Sequence, residues 1–172
     1  MKIRAILTGA TGMVGAGVLH ECLQNPAVAH ILVLSRKASG IRHPKMTELL
    51  HADWQQLGPI ESQLMGYNAC FFCAGISSGG VSKAEYERIT HDLTVSVAQT
   101  LLHLNPDLTF TYVTGAGTDS SEQGRSHWAR TKGRTENALL ALPFRAAFMF
   151  RPGYLHPTPG QANVLRAYRY LS

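Results

Sequence analysis

Trp128 and Lys132 stand four residues apart in the run Trp128-Ala129-Arg130-Thr131-Lys132, followed by Gly133 and Glu136. On a helix this spacing puts the two side chains on one face, one turn apart. An amine beside a proton donor is an arrangement for moving a proton to or from a small hydroxyl or carbonyl group. Here the donor is an indole. Its N–H donates only and does not ionise usefully in water, so it can orient a carbonyl but cannot act as the acid–base. Hydroxyls precede this run: Thr114 at the end of an apolar stretch, and Thr118, Ser120 and Ser121 in the polar stretch that follows. Tyr86, Tyr154 and His127 are the other groups able to carry a proton, and none has a spacing that ties it to Lys132.

A second constellation opens the chain: Thr8-Gly9-Ala10-Thr11-Gly12-Met13-Val14-Gly15. It follows the apolar run from Ile3 to Leu7 and leads into Val14, Val18, Leu19 and Leu23, an apolar helical stripe. The order is strand, glycine turn, helix. The first glycine permits a tight turn, the second leaves room for a pyrophosphate, and the third lets the helix pack on the strand. The helix start offers N–H groups and a positive dipole end to phosphates. Thr11, Met13 and Val14 share that turn and are candidate cofactor contacts with Gly9, Gly12 and Gly15.

The glycine spacing resembles the T-G-x-x-G-x-x-G of the short-chain dehydrogenase/reductase superfamily. Arg151-Pro152-Gly153 matches a triplet at the end of a strand in its extended and atypical branches. The resemblance covers residues 1 to about 155 and lies closest to the atypical group allied to NAD-dependent epimerase/dehydratases. It implies that Lys132 binds the nicotinamide ribose, as the lysine of Tyr-x-x-x-Lys does, and that Trp128 replaces the tyrosine. It implies that Thr114 takes the place of the superfamily's serine. It matches Asp53 to an acid that contacts adenine, an N-cap for a short helix near Gln55–Leu57 being the alternative. It puts Cys73-Ala74-Gly75 where Asn-Ala-Gly packs under the ribose, so Ala74 and Gly75 are cofactor contacts. It also implies a homodimer through two long helices.

The cofactor follows from the stretch after the second strand. Enzymes selective for NAD commonly place an acid there to hold the ribose hydroxyls. This chain has Ser35-Arg36-Lys37. A guanidinium pairs bidentately with a 2′-phosphate, a nearby hydroxyl adds to it, and Arg36 can also stack on adenine. The expectation is NADP rather than NAD.

These residues need a scaffold. Apolar runs predict strands at Ile3–Leu7, Ile31–Leu34, Thr47–His51, Ala69–Ala74, Thr109–Val113 and Phe144–Phe150. Between them the patterning predicts helices after the glycine turn, over Pro59–Met65, over Ser82–His103 with a capping box of Ser82 and Glu85, and over Ser126–Leu142. A further helix is predicted over Val164–Leu171. The alternation predicts an α/β fold: a doubly wound, Rossmann-type parallel sheet in the order 3-2-1-4-5-6, helices on both faces. The expectation is a single domain over residues 1–172 with a short substrate-side segment from about 154.

Composition narrows the partners. The 172 residues are 45% hydrophobic and 16% charged, which is globular rather than disordered. A formal net charge of +5 suits anionic ligands, but the basic residues are scattered and predict no nucleic-acid surface. No apolar run reaches the ~18 residues of a membrane span, and no secretory signal is visible. Cys22, Cys70 and Cys73 form no disulfide framework, from which a reducing, cytoplasmic setting is expected. Cys70 and Cys73 match C-x-x-C, but on a strand residues three apart face opposite sides, so they predict core packing rather than a redox pair. The eight histidines show no metal-ligand spacing, and no metal is expected. Two functions remain open: an NADP-dependent reductase or epimerase-like enzyme acting on a small molecule, or a dinucleotide-binding module without turnover.

Overall fold

A computed structural model describes residues 2–156. Its centre is a six-stranded parallel sheet in the order β3-β2-β1-β4-β5-β6. The strands are β1 (Ile3–Thr8), β2 (Val28–Ser35), β3 (Met46–Leu50), β4 (Ala69–Phe72), β5 (Thr109–Val113) and β6 (Ala146–Phe150). The predicted order holds. The change of direction between β1 and β4 is the switch point beyond whose strand ends ligands bind in such sheets.

Period-two alternation splits the core between the two faces of the sheet. Ile6, Leu32, Leu34, Phe72, Phe110 and Tyr112 point to one face. There they meet Val97 and Leu101 of helix α4 (Leu93–Leu104) and Leu139 of helix α5 (His127–Leu140). Ala5, Leu7, Ile31 and Val33 point to the other, against Leu19 and Cys22 of helix α1 (Met13–Gln24). Burying a side chain such as Leu101 or Leu139 contributes about 1.5–3 kcal/mol. The same alternation separates Cys70 from Cys73: each lies in a different cluster and both are free thiols. Burial pushes the Cys73 thiol up to about 12, which suits packing and not redox exchange.

The elements differ from the sequence reading in two helices and at several strand ends, β4 stopping at Phe72 rather than Ala74. The helix expected over Ser82–His103 is broken. It runs as α3 (Lys83–Glu87), a wide π turn over Arg88–Asp92, and then α4. The Thr90 carbonyl in that turn faces the Tyr112 hydroxyl at 3.4 Å and Thr135 Oγ1 at 3.3 Å. Side chains of β5 and α5 thus compete for a carbonyl that a regular helix would keep for itself. The capping box is half made: Ser82 Oγ accepts from the Glu85 N–H at 3.1 Å, but the Glu85 carboxylate pairs with Arg88 at 2.8 Å. The helix over Pro59–Met65 is a 3₁₀ turn, Gly58–Ile60, followed by the single turn α2 (Glu61–Leu64). At β6 the strand starts at Ala146, and Phe144 lies before it with its ring stacked on Phe110, centroids 4.9 Å apart. The helix predicted over Val164–Leu171 lies outside the described residues.

Candidate functional site at the carboxyl ends of the strands

The turn after β1 needs its glycines for three separate reasons. Gly9 has φ +72°, and a Cβ there would lie 2.6 Å from the Ala74 nitrogen. Only glycine lets this turn pass so close to the end of β4, where the Ala74 N–H also donates to Thr8 Oγ1 at 3.2 Å. A Cβ on Gly15 would sit 2.1 Å from the Gly9 carbonyl oxygen, so the third glycine is what lets α1 press on the turn. Gly12 differs. Its backbone is extended (φ −83°, ψ 167°), and a Cβ would meet only Gly9 O, at 3.3 Å. The space over Gly12 is open on the remaining sides. The Gly12 N–H closes the turn onto Gly9 O at 2.9 Å, and Ala16 donates the first helical bond to Gly12 O at 2.9 Å. Thr11 is exposed beside it, and Met13 and Val14 are half-buried in the first turn of α1. An open cradle at a helix start, with the helix pressed on the turn behind it, fits a pyrophosphate.

At the end of β2, Ser35 is buried and its hydroxyl donates to the Lys37 carbonyl at 3.0 Å. In this structure that proton serves the turn. Arg36 and Lys37 are exposed on the turn that Ser35 shapes. The Ser39 N–H donates to Glu48 Oε1 at 2.7 Å, anchoring the loop to β3. Asp53 is exposed, and its Oδ1 caps a local turn by accepting from the Gln55 N–H at 3.0 Å. The short helix expected near Gln55–Leu57 does not form, and Asp53 caps a turn there instead. Ala74 is half-buried and Gly75 exposed, with nothing within 4 Å of a Cβ built on Gly75.

On the β5 side, Thr114, Trp128 and Lys132 gather around the strand end. The loop after β5 is fixed by Thr114 N–H to Phe150 O at 2.8 Å and Ala116 N–H to Pro152 O at 3.0 Å. The Trp128 indole lies over this loop: a Cβ on Gly117 would fall 2.9 Å from its Cη2, and one on Gly115 3.8 Å from its Cζ3. Glycines 115 and 117 thus make the room that the indole fills. Behind them, a Cβ on Gly133 would lie 1.8 Å from the Asp119 carbonyl, so α5 packs directly on the loop backbone. Lys132 points inward. Its Nζ donates to Val113 O at 3.2 Å and lies 3.5 Å from the Tyr112 hydroxyl. The other proton carriers stand apart: Tyr86 is buried, His127 pairs with Glu87 at 3.1 Å, and Tyr154 is exposed.

Sequence reasoning missed an ion pair, buried on its Glu136 side, that braces this end. Glu136, one turn after Lys132 on α5, is 1% exposed. It accepts from Arg151 Nε at 3.0 and 3.1 Å and from Thr114 Oγ1 at 2.6 Å. Arg151 Nη2 reaches the same carboxylate and Ser120 Oγ. The two charges are 15 residues apart on different elements. No local spacing signals them, and only the fold brings them together. Among the described residues no three His, Cys, Asp or Glu side chains gather as a metal site, and no helix is long and apolar enough to cross a membrane.

Burial lowers the Lys132 ammonium from 10.5 to about 8, with Glu136 opposing the shift. The unfolded chain holds this proton to about 10.5, the folded chain only to about 8. Between those values the unfolded state binds more protons, so this group's contribution to stability rises with pH. Below pH 8 it is a constant penalty. Lys132→Met is therefore expected to be more stable than the native chain at pH 7, with an advantage that shrinks between pH 8 and 10.5. Urea midpoints at pH 7 and pH 10 check this, and an advantage independent of pH contradicts it.

Comparison with known proteins places this geometry. The model of the NAD dependent epimerase/dehydratase family matches residues 5–139. Protein FMP52-2, mitochondrial, of Scheffersomyces stipitis is 27% identical over 159 residues, 90% of this chain and 67% of that protein. Protein fmp52-1, mitochondrial, of Aspergillus terreus is 28% identical over 170 residues, 94% and 70%. The solved structure of WbmG from Bordetella bronchiseptica in complex with NAD superposes with a TM-score of 0.68 at 15% identity, covering 88% of this chain and 53% of that one. The carbonyl reductase Sniffer of D. melanogaster gives 0.61 at 14% identity, covering 82% and 72%. The chain thus spans about two thirds of these relatives and about half of WbmG. The relatives are named as mitochondrial proteins, which overturns the cytoplasmic expectation. Free thiols argue only against an oxidising secretory route and do not single out the cytosol among reducing compartments.

Proposed function

The chain belongs to the NAD dependent epimerase/dehydratase family, and from that premise we propose that it is an NADP(H)-binding protein acting on a small molecule with a hydroxyl or carbonyl group. The observation that carries the cofactor reading is the open cradle over Gly12, framed by Gly9 and Gly15 at the start of α1. Gly9, Thr11, Gly12, Met13, Val14 and Gly15 would hold the pyrophosphate, Ala74 and Gly75 the ribose at the end of β4, and Asp53 the adenine edge. Lys132 would turn from Val113 O to the nicotinamide ribose. When bound, the nicotinamide accepts or donates a hydride. The chain's own part is to orient the substrate oxygen with Thr114 and the Trp128 N–H.

The choice of NADP over NAD rests on Arg36, exposed at the end of β2 with no acid in the Ser35-Arg36-Lys37 turn. The NAD bound in the WbmG structure does not decide this point for the present chain. Arg36→Ala is expected to weaken NADPH about ten- to a hundredfold, the worth of a charge-assisted pair of roughly 1.5–3 kcal/mol, and to leave NADH within about twofold. Fluorescence titration through Trp54 and Trp128 reads both. Equal losses for the two dinucleotides would assign Arg36 to stacking and remove the case for NADP.

A second reading has its own observation. Trp128 stands where a phenol would move the proton, and its ring fills the space over Gly115 and Gly117. On that reading the protein binds the dinucleotide without turnover, as a redox-state sensor or scaffold. Trp128→Tyr separates the two. A carbonyl-reduction rate that rises on restoring the phenol beside Lys132 supports the impaired module. Fast native turnover that survives Trp128→Phe shows that another residue carries the proton and supports the enzyme.

A further inference from the structure

Thr114 has one hydrogen-bonding proton and two lone pairs. Its Oγ1 lies 2.6 Å from Glu136 Oε1 and 3.2 Å from the Phe150 carbonyl oxygen. A carbonyl only accepts, and a carboxylate held in the fork of a guanidinium only accepts. Whichever partner it uses, Thr114 spends its proton inward. The carboxylate has no freedom to release it. Glu136 is buried on α5 and pinned by Arg151 through Nε and Nη2, and Arg151 is itself tied to Ser120. Turning the hydroxyl outward would take from the buried Glu136 Oε1 the shorter of its two hydrogen bonds, 2.6 Å against 3.1 Å from Arg151 Nε, which is costly where water is excluded.

We propose that Glu136 is a positioning residue that makes Thr114 a hydrogen-bond acceptor toward the cleft, so that the ligand group seated there is an alcohol hydroxyl and not a carbonyl oxygen. This rests on the reading that the cleft beside the dinucleotide site takes a small ligand. Two side chains of α5 bring donors to this strand end: Trp128, whose ring lies over Gly115, through its indole N–H, and Lys132, whose Nζ reaches Val113 O, when charged. A hydroxyl both donates and accepts, so it satisfies Thr114 and a donor together. A ketone accepts only and sets its oxygen against the lone pairs of Thr114. A site built to hydrogen-bond an O–H rejects an analogue lacking it, because its own polar group is left unpaired. Thr114 thereby favours the alcohol member of an alcohol–ketone pair.

Two measurements test this. The first is made with no dinucleotide present. In protein labelled at threonine and glutamate, the Thr114 hydroxyl proton gives a slowly exchanging NMR resonance coupled to the Glu136 carboxylate carbon, absent in Thr114→Val. Its absence from the native protein overturns the proposal. The second uses protein loaded with tetrahydro-NADP, a redox-inert analogue, and saturation transfer to cyclohexanol and cyclohexanone. Cyclohexanol is expected to bind more tightly. Thr114→Val is expected to lower the alcohol-to-ketone ratio about three- to tenfold, and Glu136→Gln, whose amide can donate to Thr114, to bring it toward one. A ketone bound as well as the alcohol, a ratio unmoved by Thr114→Val, or binding of neither overturns it. Failure of the dinucleotide reading is seen separately, as no response of the native protein to NADPH, and the hydroxyl resonance then still decides the orientation of Thr114.

Discussion

Gly12→Val folds and loses dinucleotide binding. The native backbone at Gly12 is extended, a conformation open to any residue, and a Cβ there meets only Gly9 O at 3.3 Å. Folding therefore loses little: a poorer N-cap residue costs under about 1 kcal/mol. Binding loses much more, because the added methyls stand in the open space where a pyrophosphate would approach the backbone. Losing two or more charge-assisted hydrogen bonds of about 1.5–3 kcal/mol each lowers affinity by on the order of 10²–10⁴. Gly15→Ala behaves in the opposite way. Its Cβ would lie 2.1 Å from Gly9 O and 2.5 Å from Gly9 C, backbone atoms that cannot step aside alone. α1 must move off the turn, at a cost of about 1–3 kcal/mol or more. Melting curves and NADPH titrations of both variants separate the two roles. A folded Gly12→Val that binds NADPH as the native chain does would remove the cofactor reading.

The frame of the molecule was legible because its signals are local. Each buried strand is one apolar run, and the glycine turn carries its own spacing, so strand order and the position of the cradle follow from chirality and chain direction. The chemistry was legible only in part. Trp128 and Lys132 announce themselves through one helical turn. What Lys132 touches does not, since Val113 O and the Tyr112 hydroxyl come from a neighbouring strand. The turn that Ser35 closes onto the Lys37 carbonyl is a three-residue geometry that composition does not show. The π turn at Arg88–Asp92 interrupts a helical stripe whose periodicity, Ile89, Leu93 and Val97, gives no sign of it. Its only visible correlate is a carbonyl shared with hydroxyls from two other elements. Arg151 and Glu136 were each noted in the sequence, one in a family triplet and one after Lys132. Their pairing is a product of β6 lying beside β5 under α5.

That pairing carries a large stability effect for a polar side chain. Arg151→Ala is expected to lower the unfolding free energy by about 3–5 kcal/mol, because it strands the buried Glu136 carboxylate without its partner charge. The asymmetry of exposure decides which partner matters more. Side-chain exposure is 38% for Arg151 and 2% for Glu136. Without its carboxylate the guanidinium can rehydrate. Without its guanidinium the carboxylate keeps only the Thr114 hydroxyl at 2.6 Å. Glu136→Ala is therefore expected to cost less than Arg151→Ala, and the double variant less than Arg151→Ala alone, since it removes the stranded charge. Against a total stability of about 5–15 kcal/mol typical of such a fold, a loss of 3–5 is easily read in urea midpoints at pH 7. An Arg151→Ala variant that loses under about 1 kcal/mol would mean that water reaches Glu136. The brace between α5 and the end of β6 would then not be what holds Thr114 in its orientation.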